Sequence, residues 1–363
     1  MKKIMVLLAL MLILYHCNAW GELLSTTQLQ KLGVNPSLYH IDRWSQDNKI
    51  LFGLQKIVNP VVIQKMGRAF ELVLLYFDKQ KFIKAEFLPL PIRQFHQISF
   101  LENAQVGLLV SEKGANFYKV DLLKRQVTHI FGHKKGEPGF RMADPLIYVK
   151  DGKFYVYGYF YDENDATDGD TYLVYVNLAK TGANMFEKVL STKEVREVLG
   201  ISTFATYIPP DIAIWGVRRP QDGLLELKSY DKITPKLIDT GIGFTGVVCA
   251  GTRIFYVAKK PGKVAEWNAV VKDLVTNELW ILGEKNKSYT YPFISTDGST
   301  VALSLFDFEK KNMSLYYAKR KDNFLLKPIS KLQGVELGSF RLSPDGKVFA
   351  FYSSKGIWVD EIK

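Results

Sequence analysis

The chain has 363 residues, of which 47 % are hydrophobic, 13 % aromatic and 23 % charged. That composition supports a large buried core and excludes a disordered, collagen-like or coiled-coil chain. A formal charge of +11 marks an excess of bases, and two cysteines are too few for a disulfide scaffold.

The first nineteen residues read as an address rather than as part of the fold. Lys2-Lys3 is a basic start, Met5 to Tyr15 an apolar run, and Cys17-Asn18-Ala19 a small-residue cleavage site before Trp20. The apolar run is too short to remain in a bilayer as a span. The expectation is a signal peptide over 1–19 and a mature chain over 20–363, periplasmic or secreted, with no transmembrane span. Lipoprotein anchoring through Cys17 is the minor alternative, because His16 stands where acylated lipoproteins place a small residue. Loss of Lys2 and Lys3 lowers the charge to +9. Cys249 then stands alone in an apolar strand and reads as a buried small hydrophobe rather than a nucleophile.

Beyond the signal, short apolar strands alternate with turns. "FRLSPDGKVFAFY", from Phe340 to Tyr352, holds Ser343-Pro344-Asp345-Gly346, in which Pro presets φ, Asp bonds its own backbone and Gly accepts positive φ. "FISTDGSTVALSL" aligns with it without a gap, about 48 residues earlier, at Asp297-Gly298. Weaker copies stand in step at Asp47-Asn48, Glu102-Asn103, Asp151-Gly152, Pro209-Pro210-Asp211 and Ala250-Gly251. Seven turns at about 50 residues per unit predict an all-β, seven-bladed β-propeller of four-stranded antiparallel blades, with six blades as the alternative. "KFYVYGYFY", Lys153 to Tyr161, is apolar or aromatic on both faces, as a strand between two blades requires. Ser191 with Glu194 makes a capping box ahead of "KEVREVL", and Gly200 can end that helix, an insertion between the third and fourth blades.

The last unit ends after its third strand, at Lys363. A segment within 20–38 is expected to supply the missing outer strand, although "STTQLQKLG", Ser25 to Gly33, reads equally as a short helix. The two clearest units resemble the TolB-type, WD-repeat-like propeller family, on Ser343-Pro344-Asp345-Gly346 followed by Ile357-Trp358-Val359. The resemblance is specific in the last third of the chain. It implies a propeller of the kind that docks other proteins, and it brings no catalytic residues.

Charge distribution adds a candidate surface. Loops between second and third strands, with the connections between blades, share one face. On it fall Lys65 and Arg68, Lys134 and Lys135, Arg218 and Arg219, Lys259, Lys260 and Lys263, and Lys310 and Lys311. Such a face suits an acidic protein, a polyanionic glycan or a lipid headgroup. Solvated lysines in turns, aiding solubility alone, are the bland reading. Nucleic acid is not expected. In "YDENDATDGDTY", Asp162, Asn164, Asp165, Asp168 and Asp170 crowd oxygen donors that calcium would accept, but the spacing fails the EF-hand loop. An acidic hairpin is the alternative, and no other cofactor is expected. His129 and His133 lie where a strand enters a loop, so they read with His40 and His96 as ordinary histidines.

Nucleophile elbow, zinc-helix and phosphate-loop motifs are absent from the sequence. Two functions follow as expectations. One is an exported, non-catalytic scaffold that binds another protein through the basic face. The other is a propeller enzyme acting on a glycan or related extracellular substrate through acids in the central channel.

Overall fold

The computed structural model describes residues 22–37, 39–78, 80–101, 105–111, 116–132, 140–162, 165–191, 202–207, 213–219, 221–230, 234–261, 266–284, 287, 289–307 and 309–362. The expected signal peptide lies outside them. So does the helix expected from Ser191 to Gly200, apart from Ser191 itself.

The repeat is built on a local bonding pattern. Ser45, Ser295 and Ser343 each donate a hydroxyl to the aspartate two residues on, at 2.7, 2.6 and 2.8 Å. Each aspartate, Asp47, Asp297 or Asp345, then accepts a backbone N–H at 3.2, 2.9 or 3.0 Å. Each serine oxygen accepts from the residue that starts the next strand, at 2.9 Å. Asn48, Gly298 and Gly346 supply the positive φ between them. The chain therefore doubles back with the serine and aspartate side chains of each turn hydrogen-bonded.

Around such turns the strands form seven antiparallel sheets. Blade 1 comprises β2 (Tyr39–Trp44), β3 (Ile50–Lys56), β4 (Phe70–Asp78) and β5 (Lys81–Leu90), following β1 (Glu22–Ser25). Blade 2 holds β6 (Phe95–Phe100), β7 (Val106–Ser111), β8 (Asn116–Asp121) and β9 (Gln126–Gly132). Blade 3 holds β10 (Phe140–Lys150), β11 (Lys153–Asp162), β12 (Asp165–Val176) and β13 (Phe186–Ser191). Blade 4 holds β14 (Ser202–Tyr207), β15 (Ala213–Arg218), β16 (Leu225–Tyr230) and β17 (Pro235–Gly241). Blade 5 holds β18 (Gly243–Ala250), β19 (Arg253–Lys260), β20 (Glu266–Asp273) and β21 (Leu279–Leu282). Blade 6 holds β22 (Tyr289–Ile294), β23 (Thr300–Asp307), β24 (Asn312–Lys319) and β25 (Lys327–Pro328), with β26 (Val335–Glu336) pairing β24. Blade 7 holds β27 (Ser339–Leu342), β28 (Val348–Ser353) and β29 (Gly356–Glu361), and its fourth strand is β1. The fold is a seven-bladed β-propeller, not a six-bladed one.

Ring closure joins the two ends of the described chain. β1 runs antiparallel to β29, with Leu23 opposite Trp358 and Leu24 opposite Ile357. Helix α1 (Thr26–Lys31) follows at once, started by a capping box in which Ser25 Oγ accepts from Gln28 N and Gln28 Oε1 accepts from Ser25 N.

Burial follows position in the blade. Second strands such as β3 and β19 are buried along nearly their whole length, because a neighbouring blade covers each face. Fourth strands such as β5 and β9 alternate toward solvent. The cores therefore lie between blades: Leu24, Leu29, Ile41 and Val348 fill the junction of blades 7 and 1, and Phe255, Val271, Val301 and Leu303 that of blades 5 and 6. Polar contacts lace adjacent blades as well. Arg43 donates to Ser99, Gln97 exchanges two bonds with the Ile147 backbone, Arg253 donates to the Asp297 and Gly298 carbonyls, and Thr296 N donates to Pro344 O.

Candidate functional site

Antiparallel topology sorts the loops into two faces. The Ser-x-Asp turns, between first and second strands, share one face with the turns between third and fourth strands. Loops between second and third strands share the opposite face with the connections from blade to blade. Lys65 lies in α2 (Pro60–Met66), in the β3–β4 loop of blade 1. Arg68, just beyond α2, is half-buried, and its Nε is enclosed with no hydrogen-bond partner among the described residues. Arg218 and Arg219 lie at the β15–β16 loop, Lys259 and Lys260 end β19, and Lys310 and Lys311 sit at the β23–β24 turn. Blades 4, 5 and 6 are consecutive, so these six bases form an arc on one face. Lys134, Lys135 and Lys263 fall outside the described residues.

Much of that charge is answered locally, which the sequence does not show. Arg219 forms an ion pair with Asp222 and lies 3.7 Å from Glu226. The Asp222 hydrogen bond raises the Arg219 pKa, and Arg219 in turn holds the Asp222 carboxyl below its ordinary value. Lys260 pairs with Asp239 and also donates to Thr240 O at 2.7 Å, while Tyr256 OH donates to the other Asp239 oxygen at 3.0 Å. Lys310 pairs with Asp307 at 3.5 Å. Three others keep their charge without a described carboxylate: Arg218 donates to Gly223 O at 2.9 Å, Lys259 lies 5.4 Å over the Trp267 ring, and Lys311 is exposed. The arc is thus a frame of neutralised pairs carrying three bases.

Four of the expected calcium donors occupy strand positions. Asp162 ends β11 opposite Asp165, the first residue of β12, and Asp168 and Asp170 lie farther along β12. The segment is an extended hairpin rather than a loop, projecting from the same face as the basic arc. Asn164 falls outside the described residues. His129 bonds Asn116 Oδ1 at 3.0 Å and packs edge-on against Tyr118, which is a structural role. Burial pushes the Cys249 thiol above its ordinary value, which disfavours the nucleophilic thiolate.

First strands line the central channel. At its Ser-x-Asp end a cavity of about 300 Å³ is bounded by Arg43, Ser45, Ser99, Thr296 and Ser343. Asp42 carries a carboxylate on β2, and Arg43 Nε holds it at 2.7 Å. Among the described first-strand side chains no other is a carboxylate, and the side chain of Asp144, on β10, lies outside them. At the other end a groove of about 520 Å³ lies between blades 7 and 1, lined by Tyr39, His40, Ser339 and Tyr352. Tyr39 and Tyr352 meet edge to face at 5.4 Å. The groove joins residues more than 300 positions apart, so no local signal in the sequence announces it.

No family model matches the chain, and no curated protein matches it. Solved structures do. The β-propeller domain of the Trilobed protease from Pyrococcus furiosus is similar over 90 % of this chain and 98 % of that one, at 11 % identity and a TM-score of 0.55. Its velcro topology is open, whereas here β1 pairs with β29. A puromycin-hydrolyzing peptidase from Mycobacterium tuberculosis is similar at 12 % identity and a TM-score of 0.58, over 92 % of this chain and 52 % of that one. This chain spans about half the length of that peptidase. The β-propeller domain of Cps50 (Swd1) from Myceliophteria thermophila is similar at 13 % identity and a TM-score of 0.50, over 90 % and 97 % of the two chains. At such identities the likeness shows the propeller fold alone.

Proposed function

We propose that the chain is an exported, TolB-type propeller scaffold that binds an envelope or extracellular protein through the face carrying its second-to-third-strand loops. The observation that carries this reading is the arc over blades 4 to 6, where Arg218, Lys259 and Lys311 keep their charge on loops held by buried second strands. Loops on a rigid frame keep their spacing, so a partner meets a preformed surface. The bases steer an acidic partner toward it, and affinity then comes from contacts made once water is excluded.

The test is site-specific photo-crosslinking in the native cell envelope, with a photoreactive residue at position 218 or 311. Position 124, in the turn between β8 and β9, serves as the opposite-face control. A discrete protein captured from 218 and 311 but not from 124 supports the scaffold and names its partner. Equal capture from both faces, or none from either in normally folded protein, counts against it.

A further inference from the structure

Beside the central channel stands a cation whose described hydrogen bonds go to uncharged groups alone. Arg341 lies on β27 and spreads its guanidinium across neighbouring first strands. Its Nε donates to the Asp42 carbonyl, Nη1 donates to the Phe340 carbonyl at 2.7 Å, and the Phe293 ring stands 5.8 Å from its central carbon. All three partners are uncharged. The nearby Asp42 carboxylate is engaged by Arg43. Burial works against the Arg341 charge, Asp42 supports it and Arg43 opposes it. Two arginines thus share one carboxylate, which leaves a half-buried guanidinium that an anion would balance.

Space for the anion is present. Arg341, Phe293, Ser304 and Ser339 line a cavity of about 240 Å³. Ser339 and Gly338 belong also to the wall of the 520 Å³ groove, which opens beside His40, Tyr39 and Tyr352. Within the 240 Å³ cavity a ligand meets the apolar side chains of Phe293, Met313 and Leu315, with its terminal group at the remaining N–H groups of Arg341 and with Ser304 and Ser339 as further polar groups.

We infer that the 240 Å³ cavity binds a ligand with an apolar body and a terminal oxyanion, carboxylate or phosphate, received by Arg341. The cavity shares its face with the basic arc but is tested with small molecules on the isolated protein, so its outcome is read independently of the crosslinking result. Its probes are N-acetylphenylalanine, the carboxamide of the same compound, and inorganic phosphate, each titrated calorimetrically into the mature protein at physiological salt. Saturable binding of the acid, with the amide at least about tenfold weaker, is expected. Binding of phosphate as strong as that of the acid would show that the apolar body adds nothing and would overturn the proposed ligand class. Arg341→Lys keeps the charge but not the fork and should weaken the acid at least about tenfold. Because that change touches the blade junction, Ser339→Trp provides a second test by filling the cavity while leaving the guanidinium in place. Equal affinity for acid and amide, no saturable binding of acid or phosphate, or binding unaffected by both substitutions overturns the site.

Discussion

Asp345 shows how single side chains make this fold sensitive to acid. Burial pushes its carboxyl up, but the Lys347 N–H, the Ser343 hydroxyl, the Asn48 side chain and the Lys347 charge together hold it below the ordinary value. Asp297 sits in the same balance in blade 6. A carboxyl depressed in the folded state adds stability that is present above its unfolded pKa, about 3.9, and is lost as pH falls through the folded value. Urea midpoints should therefore drop as pH is lowered from about 5 to 3, and Asp345→Asn should flatten that drop. An unchanged slope in the variant would sink this account. Gly346 makes a second prediction at the same scale. Its φ is +69°, and an added Cβ would stand 2.5 Å from Thr300 Cβ and 3.0 Å from Ser295 Cβ, atoms of the neighbouring blade's turn. Gly251 shares the positive φ but has nothing within 4 Å. Gly251→Ala should cost about 1 kcal/mol, from strain alone. Gly346→Ala should cost about 1–3 kcal/mol more, through overpacking, in chemical denaturation.

At the scale of elements, the weight falls on β1 and α1. A seven-bladed ring whose last blade has only three strands of its own leaves an exposed edge, and β1 covers it by pairing with β29. Leu24 and Leu29 are buried in the same cluster as Ile357 and Val359, so the closure is hydrophobic as well as hydrogen-bonded. Leu24→Ala should cost about 2–5 kcal/mol, and hydrogen exchange should quicken in β29 before it does in β19. Uniform quickening across all blades would mean that closure is not a separate step. This scale was also the most legible in the sequence. Asp47, Asp297 and Asp345 mark their turns because the bonds involved are local, reaching two to five residues along the chain. Residues 102–103 and 209–211, where two further turns were expected, fall outside the described residues. The groove and the Arg341 cavity left no such mark. Tyr39 meets Tyr352, and Arg341 meets Asp42, only after the ring has closed.

For the whole molecule, the excess of bases is a poor guide to the field until each charge has been matched with its neighbours. Lys260 counts toward the net +11 as fully as Lys311 does. Yet Lys260 lies between the Asp239 carboxylate and the Thr240 carbonyl, whereas Lys311 is exposed at a turn. A pair this close contributes little beyond the Debye length of about 8 Å at physiological salt, while an unpaired base is felt across it. The partner of Lys260 comes from the neighbouring blade, and spacing along the chain does not reveal it. Retention on a heparin column separates the two kinds of base. The Arg218→Glu, Lys311→Glu double variant should elute at clearly lower salt than the unaltered protein, since four units of charge change on the exposed arc. Lys260→Met should elute close to the unaltered protein but lose about 1–3 kcal/mol of stability, because Asp239 is left without its cation. If Lys260→Met moved the elution as far, per unit charge, as the double variant, then net charge rather than unpaired charge would govern the face, and the arc would lose its claim to be a docking surface.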